Sequence, residues 1–591
     1  MNYSLTKTDI AKEKEKGVLA TAWRRLVPLM KEEKRTVLFA LVAILITSGA
    51  ALAVPIMIAR IVDVYIVKKD FHGVMVYSAI LFAIFVLGLI ANYVQIKTMG
   101  GVGRRLLYSL RNNIFNKLQA LPVAFFNQNK VGDLISRINN DTDKLNQFFS
   151  QALMQFLSNI MLIAGTGVVL VALDWRLGLV ALAPAALALI ATRLLSPWVK
   201  RTSLMSLRKL GAMSAEIQES INNFKVIVAF NRLDYFRDKF REANTANYKA
   251  AISAGVAQNI FNPVYTLASS VAQLIVLAYG ISLIASGNFT VGLLIGFLLY
   301  VNSFYMPLRQ LASVWPSLQL ALAGLDRISE VLALESNLQT VPASEAAPDK
   351  PSAAIIEFNN VFFRYFEGKD VLRNINFALE AGKTYALVGP TGGGKTTTAS
   401  LMARLYDPSS GVIYLNGRDI RTYEPAERAK KVGFILQEPF LFNGTVRENI
   451  LYGNIEHQGY SNDELMSVLS KEHLSGLLAR FSEGLDTKIT SGGDAVSLGQ
   501  KQLIAFIRAT LRNPDILILD EATANIDTVT EKLLQDIIDQ LPRETTKVII
   551  AHRLNTIANA DEILFVNAGS VQPAGSMEHA VDLLMHGKRQ S

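Results

Sequence analysis

The chain contains no cysteine, which excludes disulfides and thiolate metal sites. Charge is the next scarcity: Asp, Glu, Lys and Arg make up 18% of the residues against 50% hydrophobic. Their absence is concentrated. No charged side chain occurs from Thr36 to Ala59, Gly73 to Ile96, Ala152 to Leu173, Leu177 to Thr192, or anywhere from Ala250 to Leu308. A helix that crosses a bilayer needs roughly 20 apolar residues. The run ending at Thr192 is short, and Arg193 after it can snorkel to the interface. The run from Ala250 is too long for one span, and Ser286-Gly287-Asn288 divides it. The expected count is six spans. The chain also lacks any basic stripe interleaved with aromatics, so its net charge of +9 is not read as a nucleic-acid surface. Lys7, Lys12, Lys14 and Lys16 are followed by no apolar core within the first twenty residues, so no cleaved signal peptide is expected.

The positive charge instead fits cytoplasmic loops. The connections after spans one, three and five are short (Val67 to His72, Asp174 to Arg176, Ser286 to Thr290), whereas those after spans two and four are long. The long ones carry Arg104, Arg105, Arg111, Lys200, Arg201, Arg208 and Lys209, and an excess of Lys and Arg marks the cytoplasmic side. Their amphipathic patterning predicts helices that extend well beyond the membrane. Ahead of the first span, Thr21 to Met30 places Trp23 beside Arg24 and Arg25, the composition of a short interfacial helix. At the other end, Glu335 to Ala354 contains three prolines and little periodicity and reads as a linker. Strand and helix patterns alternate beyond it, as in an α/β domain with a largely parallel sheet.

That second part carries the chemistry. Gly389-Pro-Thr-Gly-Gly-Gly-Lys-Thr396 follows the apolar strand Tyr385 to Val388 and opens a helix. This is the context a P-loop needs: glycines let backbone N–H groups curl round phosphate oxygens, and the helix N-terminus adds its positive end. Gly389, Thr391, Gly392, Gly394, Lys395, Thr396 and Thr397 form the expected phosphate site. Lys395 would reach the terminal phosphates, and Thr396 would offer its hydroxyl to Mg²⁺. Farther on, Ile516 to Leu519 is an apolar strand ending in Asp520-Glu521. Asp520 is expected in the Mg²⁺ shell, and Glu521 is positioned to polarise an attacking water.

The stretch Asp520 to Asp527, with Ser497-Leu-Gly-Gln500 upstream and Ala551-His552-Arg553 downstream, resembles the nucleotide-binding domain of ATP-binding-cassette (ABC) transporters. The six spans match the exporter type, so the resemblance covers essentially the whole chain. Phe125-Phe126 with Gly132 to Asp141 resembles that family's first intracellular loop, and Glu219 to Phe230 its second. Short helices near Val131 to Ile135 and Ile221 to Lys225 are the expected docking points. The resemblance implies that Tyr365 stacks on adenine, that Gln437 senses Mg²⁺ and couples to the membrane domain, and that His552 is the switch histidine at the γ-phosphate. It further implies that Asp527 lies in the loop crossing the dimer interface. In this family two nucleotide domains sandwich two ATPs, so Ser497, Gly499 and Gln500 would touch nucleotide held mainly by a partner.

Two positions depart from the family pattern. The usual Leu-Ser-Gly-Gly-Gln reads Val496-Ser-Leu-Gly-Gln500, with Leu498 where close backbone approach favours glycine. The usual Gly-Glu-Arg-Gly upstream is replaced by Thr490-Ser-Gly-Gly493. With Lys395, Gln437, Asp520, Glu521 and His552 intact, this combination resembles one subunit of heterodimeric bacterial exporters. A homodimer that tolerates Leu498 is the alternative.

The expected fold is a membrane α-helical bundle of six transmembrane helices with long cytoplasmic extensions, plus an α/β P-loop ABC ATPase domain. The expected divisions are 1–35 (leader and interfacial helix), 36–325 (transmembrane), 326–353 (linker) and 354–591 (nucleotide-binding). The expected function is an ATP- and Mg²⁺-dependent exporter of hydrophobic or amphipathic compounds, multidrug type, in the bacterial inner membrane with its nucleotide domain in the cytoplasm. Its partners would be a second ABC subunit, the lipid bilayer and a small amphipathic substrate. A lipid flippase working as a homodimer, a peptide exporter and a non-transporting regulator are the other readings. Phe82, Phe85, Phe297, Tyr300 and Phe304 serve equally as cargo-binding walls or as lipid-facing packing. Arg60 and Asp63 are expected near an outer end, as cargo contacts or as an interfacial pair.

Overall fold

A computed structural model describes the chain except for residues 1–2, 6–27, 29–30, 32, 366–367, 491–495, 521–527, 551–558, 576 and 587–591. The chain divides into two compact units. One comprises Lys7–Lys117 with Gly132–Ala333, and the other Met1–Thr6, Leu118–Val131 and Leu334–Ser591. The expected interfacial helix at 21–30 falls almost wholly outside the described residues.

In the first unit, among the described residues, six helices are long and apolar enough to span a membrane: α1 (Lys34–Ile66), α2 (Phe71–Gln119), α3 (Val131–Leu173), α4 (Trp175–Asn222), α5 (Leu233–Ala285) and α6 (Val291–Ala333). The short connections arise from ordinary helix punctuation. Asp174 accepts from the Leu177 backbone N–H at 2.8 Å and so caps α4. Gly287, at φ 75°, makes the turn between α5 and α6, in the left-handed region where a Cβ is disfavoured. The helices outrun the apolar stretches at their polar ends. The last one continues to Ala333, past the expected end at residue 325, because Ala321, Leu322, Leu325, Ile328 and Val331 keep an apolar, buried stripe.

The interior of this unit holds Tyr265, Ala272, Val276, Phe297, Tyr300, Val301 and Tyr305. Phe297 and Tyr300 are fully buried and Phe304 nearly so, whereas Phe82 and Phe85 are exposed. Tyr300 donates to the Leu52 carbonyl, and Tyr305 to that of Ala181 at 2.9 Å. Three of the five aromatic residues considered as cargo walls or lipid-facing packing are therefore helix-to-helix packing. Arg60 and Asp63 do not pair with each other. Arg60 lies over the Tyr77 ring, while Asp63 accepts from Thr290 Oγ1 at 2.5 Å and from the Gly292 N–H at 2.7 Å, capping the start of α6.

The second unit contains, among its described residues, three sheets. The central one has the order β12-β11-β3-β10-β9-β6. Here β3 is Thr384–Val388, β6 Val432–Ile435, β9 Ile516–Asp520, β10 Thr546–Ile550, β11 Glu562–Asn567 and β12 Ser570–Pro573. The first five of these pair in parallel, and β12 joins β11 antiparallel. Strands buried on both faces read as continuous apolar runs rather than alternations, which is why Ile516–Leu519 is so evenly hydrophobic. An antiparallel sheet β2-β1-β4-β5 is built from β1 (Ala354–Phe363), β2 (Leu372–Glu380), β4 (Ser410–Leu415) and β5 (Arg418–Asp419). A two-stranded pair, β7 (Gly444–Thr445) with β8 (Lys488–Ile489), completes the set.

The Pro-rich segment before β1 is pinned along its length. Gln339 O accepts from Arg404 Nη2 at 2.8 Å, the Val341 N–H donates to Arg421 O at 2.9 Å, and the Lys350 N–H donates to Gly417 O at 2.8 Å. Its prolines remove donors without preventing this docking, because Gln339, Val341 and Lys350 supply the hydrogen bonds.

Candidate functional site

The sheet delivers the predicted residues to one edge. β3 ends at Val388, the Gly389–Gly394 loop follows, and α7 (Lys395–Met402) begins. Gly394 sits at φ 116° as the N-cap, and a Cβ there would approach Leu372 Cδ2 to 2.7 Å. Glycine is thus required both for the backbone turn and for space. Lys395 is buried, and its ammonium folds back on the loop, donating to Gly389 O at 2.8 Å and Pro390 O at 3.2 Å. The register Leu387↔Ile550↔Asp520 across β3, β10 and β9 aligns the strand ends. Asp520 is thereby brought to the loop, where its Oδ1 accepts from Thr396 Oγ1 at 3.3 Å. Two of the three residues expected at the metal, Thr396 and Asp520, are together in the fold.

Tyr365 follows β1. Its hydroxyl is hydrogen-bonded to Thr397 Oγ1 at 2.8 Å, and its ring packs edge-on against Phe363 and Tyr406 at 4.8 and 5.2 Å. With 41% of its surface exposed, it retains an accessible face. Burial raises the Tyr365 hydroxyl pKa above the ordinary phenol value, against the lowering effect of its bond to Thr397. Gln437 lies just past β6, whose Ile435 pairs with Leu519 of β9, next to the strand that ends at Asp520.

The signature residues form a separate group at the start of α8 (Leu498–Thr510). Ser497 Oγ accepts from the Gln500 N–H at 3.2 Å, Gln500 Oε1 accepts from the Ser497 N–H at 2.9 Å, and Gln500 Nε2 donates to Arg480 O. This capping box fixes the loop-to-helix turn. Gly499 is buried, while Leu498 is 36% exposed. Glu521, His552 and Asp527 lie outside the described residues.

A short helix is present at the first expected docking position, Val131–Ser136. In the first intracellular loop the contact with nucleotide-unit residues comes from the short helix Val123–Gln128, where Asn127 Nδ2 donates to Tyr406 OH at 2.7 Å. Residues Gly132 onward belong to the other unit, because Arg137 and Asp141 commit them to α6. Arg137 bonds to Asp133 at 3.0 Å and to Glu330 and the Arg327 carbonyl at 2.7 Å each, and Arg327 pairs with Asp141 at 2.8 Å. In the second loop a short helix spans Phe224–Ala229. Tyr406, Arg404 and Asn127 carried no signal in the sequence, since a tyrosine after a helix is ordinarily packing.

The sequence profile of the ABC transporter transmembrane region matches residues 37–308, and the ABC transporter profile matches 372–524. The uncharacterised ABC transporter ATP-binding protein YfiC of Bacillus subtilis is 32% identical over 572 residues, covering 97% of this chain and 93% of the relative. The chain belongs to the ABC transporter family. A fatty acid ABC transporter ATP-binding/permease protein of Mycobacterium bovis is 31% identical over 519 residues, 88% of this chain and 81% of that one. The structure of a bacterial Atm1-family ABC exporter with ATP bound superposes with a TM-score of 0.76 at 26% identity, covering 94% of this chain and 96% of that one. The chain is therefore an ABC exporter with fused membrane and ATP-binding domains, a multi-pass membrane ATPase whose activity is coupled to transport. Its glycine cradle, buried lysine and Thr396–Asp520 pair fit the triphosphate that such a domain binds.

Proposed function

We propose that this chain is one subunit of a dimeric exporter in the bacterial cell membrane, with its ATP-binding domain in the cytoplasm. It moves hydrophobic or amphipathic compounds out of the cytoplasm or inner leaflet. Gly389, Thr391, Gly392, Gly394, Lys395, Thr396 and Thr397 cradle the phosphates, and Tyr365 stacks on the base. Thr396 and Asp520, with Gln437, hold Mg²⁺, which neutralises charge on the phosphates when bound. Glu521 polarises the attacking water, and His552 contacts the γ-phosphate. Ser497, Gly499 and Gln500 complete the partner's site. ATP drives alternating access by binding the closed state more tightly than the open one.

One observation carries the choice of partner. Leu498 occupies the exposed start of α8, where a backbone must approach phosphate, while the P-loop and Asp520 are intact. We read this as a heterodimer in which the hydrolytic site uses this chain's P-loop and a partner's consensus signature. The names of relatives for fatty acid, lipid A-core and multidrug transport support a hydrophobic or amphipathic cargo. A lipid flippase working as a homodimer is the second reading.

Hydrolysis by the purified chain alone, in nanodiscs with Glu521→Gln as control, separates the two. The heterodimer predicts ATP binding without turnover, and turnover on adding the second subunit. Turnover by the lone chain that depends on Glu521 would establish the homodimer instead.

A further inference from the structure

A run of side-chain contacts leads from Thr397 on the P-loop helix to the first intracellular loop, and neither phosphate binding nor hydrolysis uses its part beyond Tyr365. Thr397 is bonded to Tyr365, the Tyr365 ring meets Tyr406 edge-on at an interplanar angle of 88°, and Tyr406 OH accepts from Asn127. The position of Tyr406 is itself fixed. After α7 ends, Arg404 adopts φ 49°, a left-handed conformation uncommon outside glycine. The buried Arg404 guanidinium holds that turn through Asp407 at 2.9 Å and Gln339 O. One helix therefore carries the phosphate-binding residues at its start and presents Tyr406 just beyond its end.

The other end of the run is equally anchored. Phe125 of the helix Val123–Gln128 is fully buried. Gln128 accepts from the Tyr3 N–H at 2.6 Å, Asn129 Nδ2 donates to Tyr3 O at 2.9 Å, and Tyr3 OH is bonded to Asn337 and Glu335. The helix is thus held on one side by the segment at Tyr3 and on another by Tyr406, leaving little freedom to absorb a shift of that ring. All of these residues lie within one compact unit.

We propose that Tyr406 is a positioning residue that couples adenine stacking on Tyr365 to the placement of the Val123–Gln128 helix. The inference rests on the base-stacking role of Tyr365. A filled stacking face fixes the Tyr365 ring, and the edge-on contact then limits where Tyr406 can hold Asn127. Such coupling is reciprocal: loosening the Asn127 bond weakens nucleotide binding, although Asn127 touches no nucleotide.

The test is equilibrium ATP binding to the full chain in nanodiscs, with thermal denaturation as a check on folding. Tyr406→Phe keeps the ring and removes the hydroxyl, and Asn127→Ala removes the donor from an exposed position. Each is expected to weaken ATP binding by about fivefold, the low end of typical coupling. The double variant should be no worse than either single one, and both effects should vanish in a Tyr365→Ala background. Unchanged affinity in folded Tyr406→Phe, with Tyr365→Ala weakened, would overturn the coupling alone, as would additive effects of the two single changes. Unchanged affinity in Tyr365→Ala would overturn the base-stacking role and the coupling with it.

Discussion

Arg137 is the most heavily committed buried charge in the membrane unit. Only 3% of its side chain is exposed, yet it serves Asp133, Glu330 and the Arg327 carbonyl at once. Removing Arg137 takes a buried guanidinium and its hydrogen bond away from the Arg327 carbonyl, while Asp133 and Glu330 stay partly hydrated at 45% and 25% exposure, so the cost falls below the ~3–5 kcal/mol of breaking a fully buried pair but above that of a surface pair. Arg137→Ala should therefore lower the denaturation midpoint in detergent far more than Arg237→Ala, whose ion pair with Asp234 is solvent-exposed and worth ~0–1 kcal/mol. Equal effects would contradict this account. Asp419 shows the same economy with a pH signature. Burial alone would raise its pKa, but the Arg421 side chain and the Arg421 and Ala347 backbone N–H groups hold it below the ordinary value. A carboxylate depressed in the folded state stabilises above its unfolded pKa and loses that stabilisation as pH falls through the folded value. The stability gap between the wild type and Asp419→Asn should be full at pH 7 and shrink below about pH 4. A gap independent of pH would rule the charge out as its cause.

At the scale of elements, the cap that Asp63 places on α6 ties α1 to α6. The Asp63 carboxylate accepts the Gly292 N–H in the first turn of α6 together with the Thr290 hydroxyl. Asp63→Asn should cost about 1–2 kcal/mol through the lost charge at a helix N-terminus. Gly292→Ala should cost more, because its Cβ would come within 2.5 Å of Asp63 Cγ. The two melting shifts, compared side by side, check the order. The sequence revealed the spans because a bilayer demands uncharged runs, and it revealed the P-loop because phosphate binding demands glycines before a lysine. It did not reveal that Asp63 serves α6 or that Arg137 serves Glu330, since these partners are separated by long stretches of chain and only the tertiary fold brings them together. The likeness of Gly132 to Asp141 to the family's first intracellular loop placed the first docking helix near Val131 to Ile135. The Val123–Gln128 helix is used instead, since Asp133, Arg137 and Asp141 are already bound into the membrane unit's charge cluster. The extent of α6 was hidden for a related reason: hydropathy falls at the membrane edge, while the buried stripe continues to Val331.

At the scale of the whole molecule, exporters of this fold act as dimers, and the chain carries one P-loop and one signature. Shifting a two-state transporter from 1:99 to 99:1 requires ATP to favour the closed state by about 10⁴-fold, a difference that a nucleotide shared between two domains can supply. The altered signature confines that drive, in our reading, to the site built on this chain's Lys395, Asp520 and Glu521. The most direct test is ATP-dependent accumulation of a fluorescent fatty acid and of a cationic amphipathic dye in inside-out vesicles containing this chain with its second subunit. The account predicts accumulation of at least one probe, abolished by Glu521→Gln in this chain with ATP binding retained. Accumulation unaffected by Glu521→Gln, or active ATP turnover that moves neither probe, would contradict it.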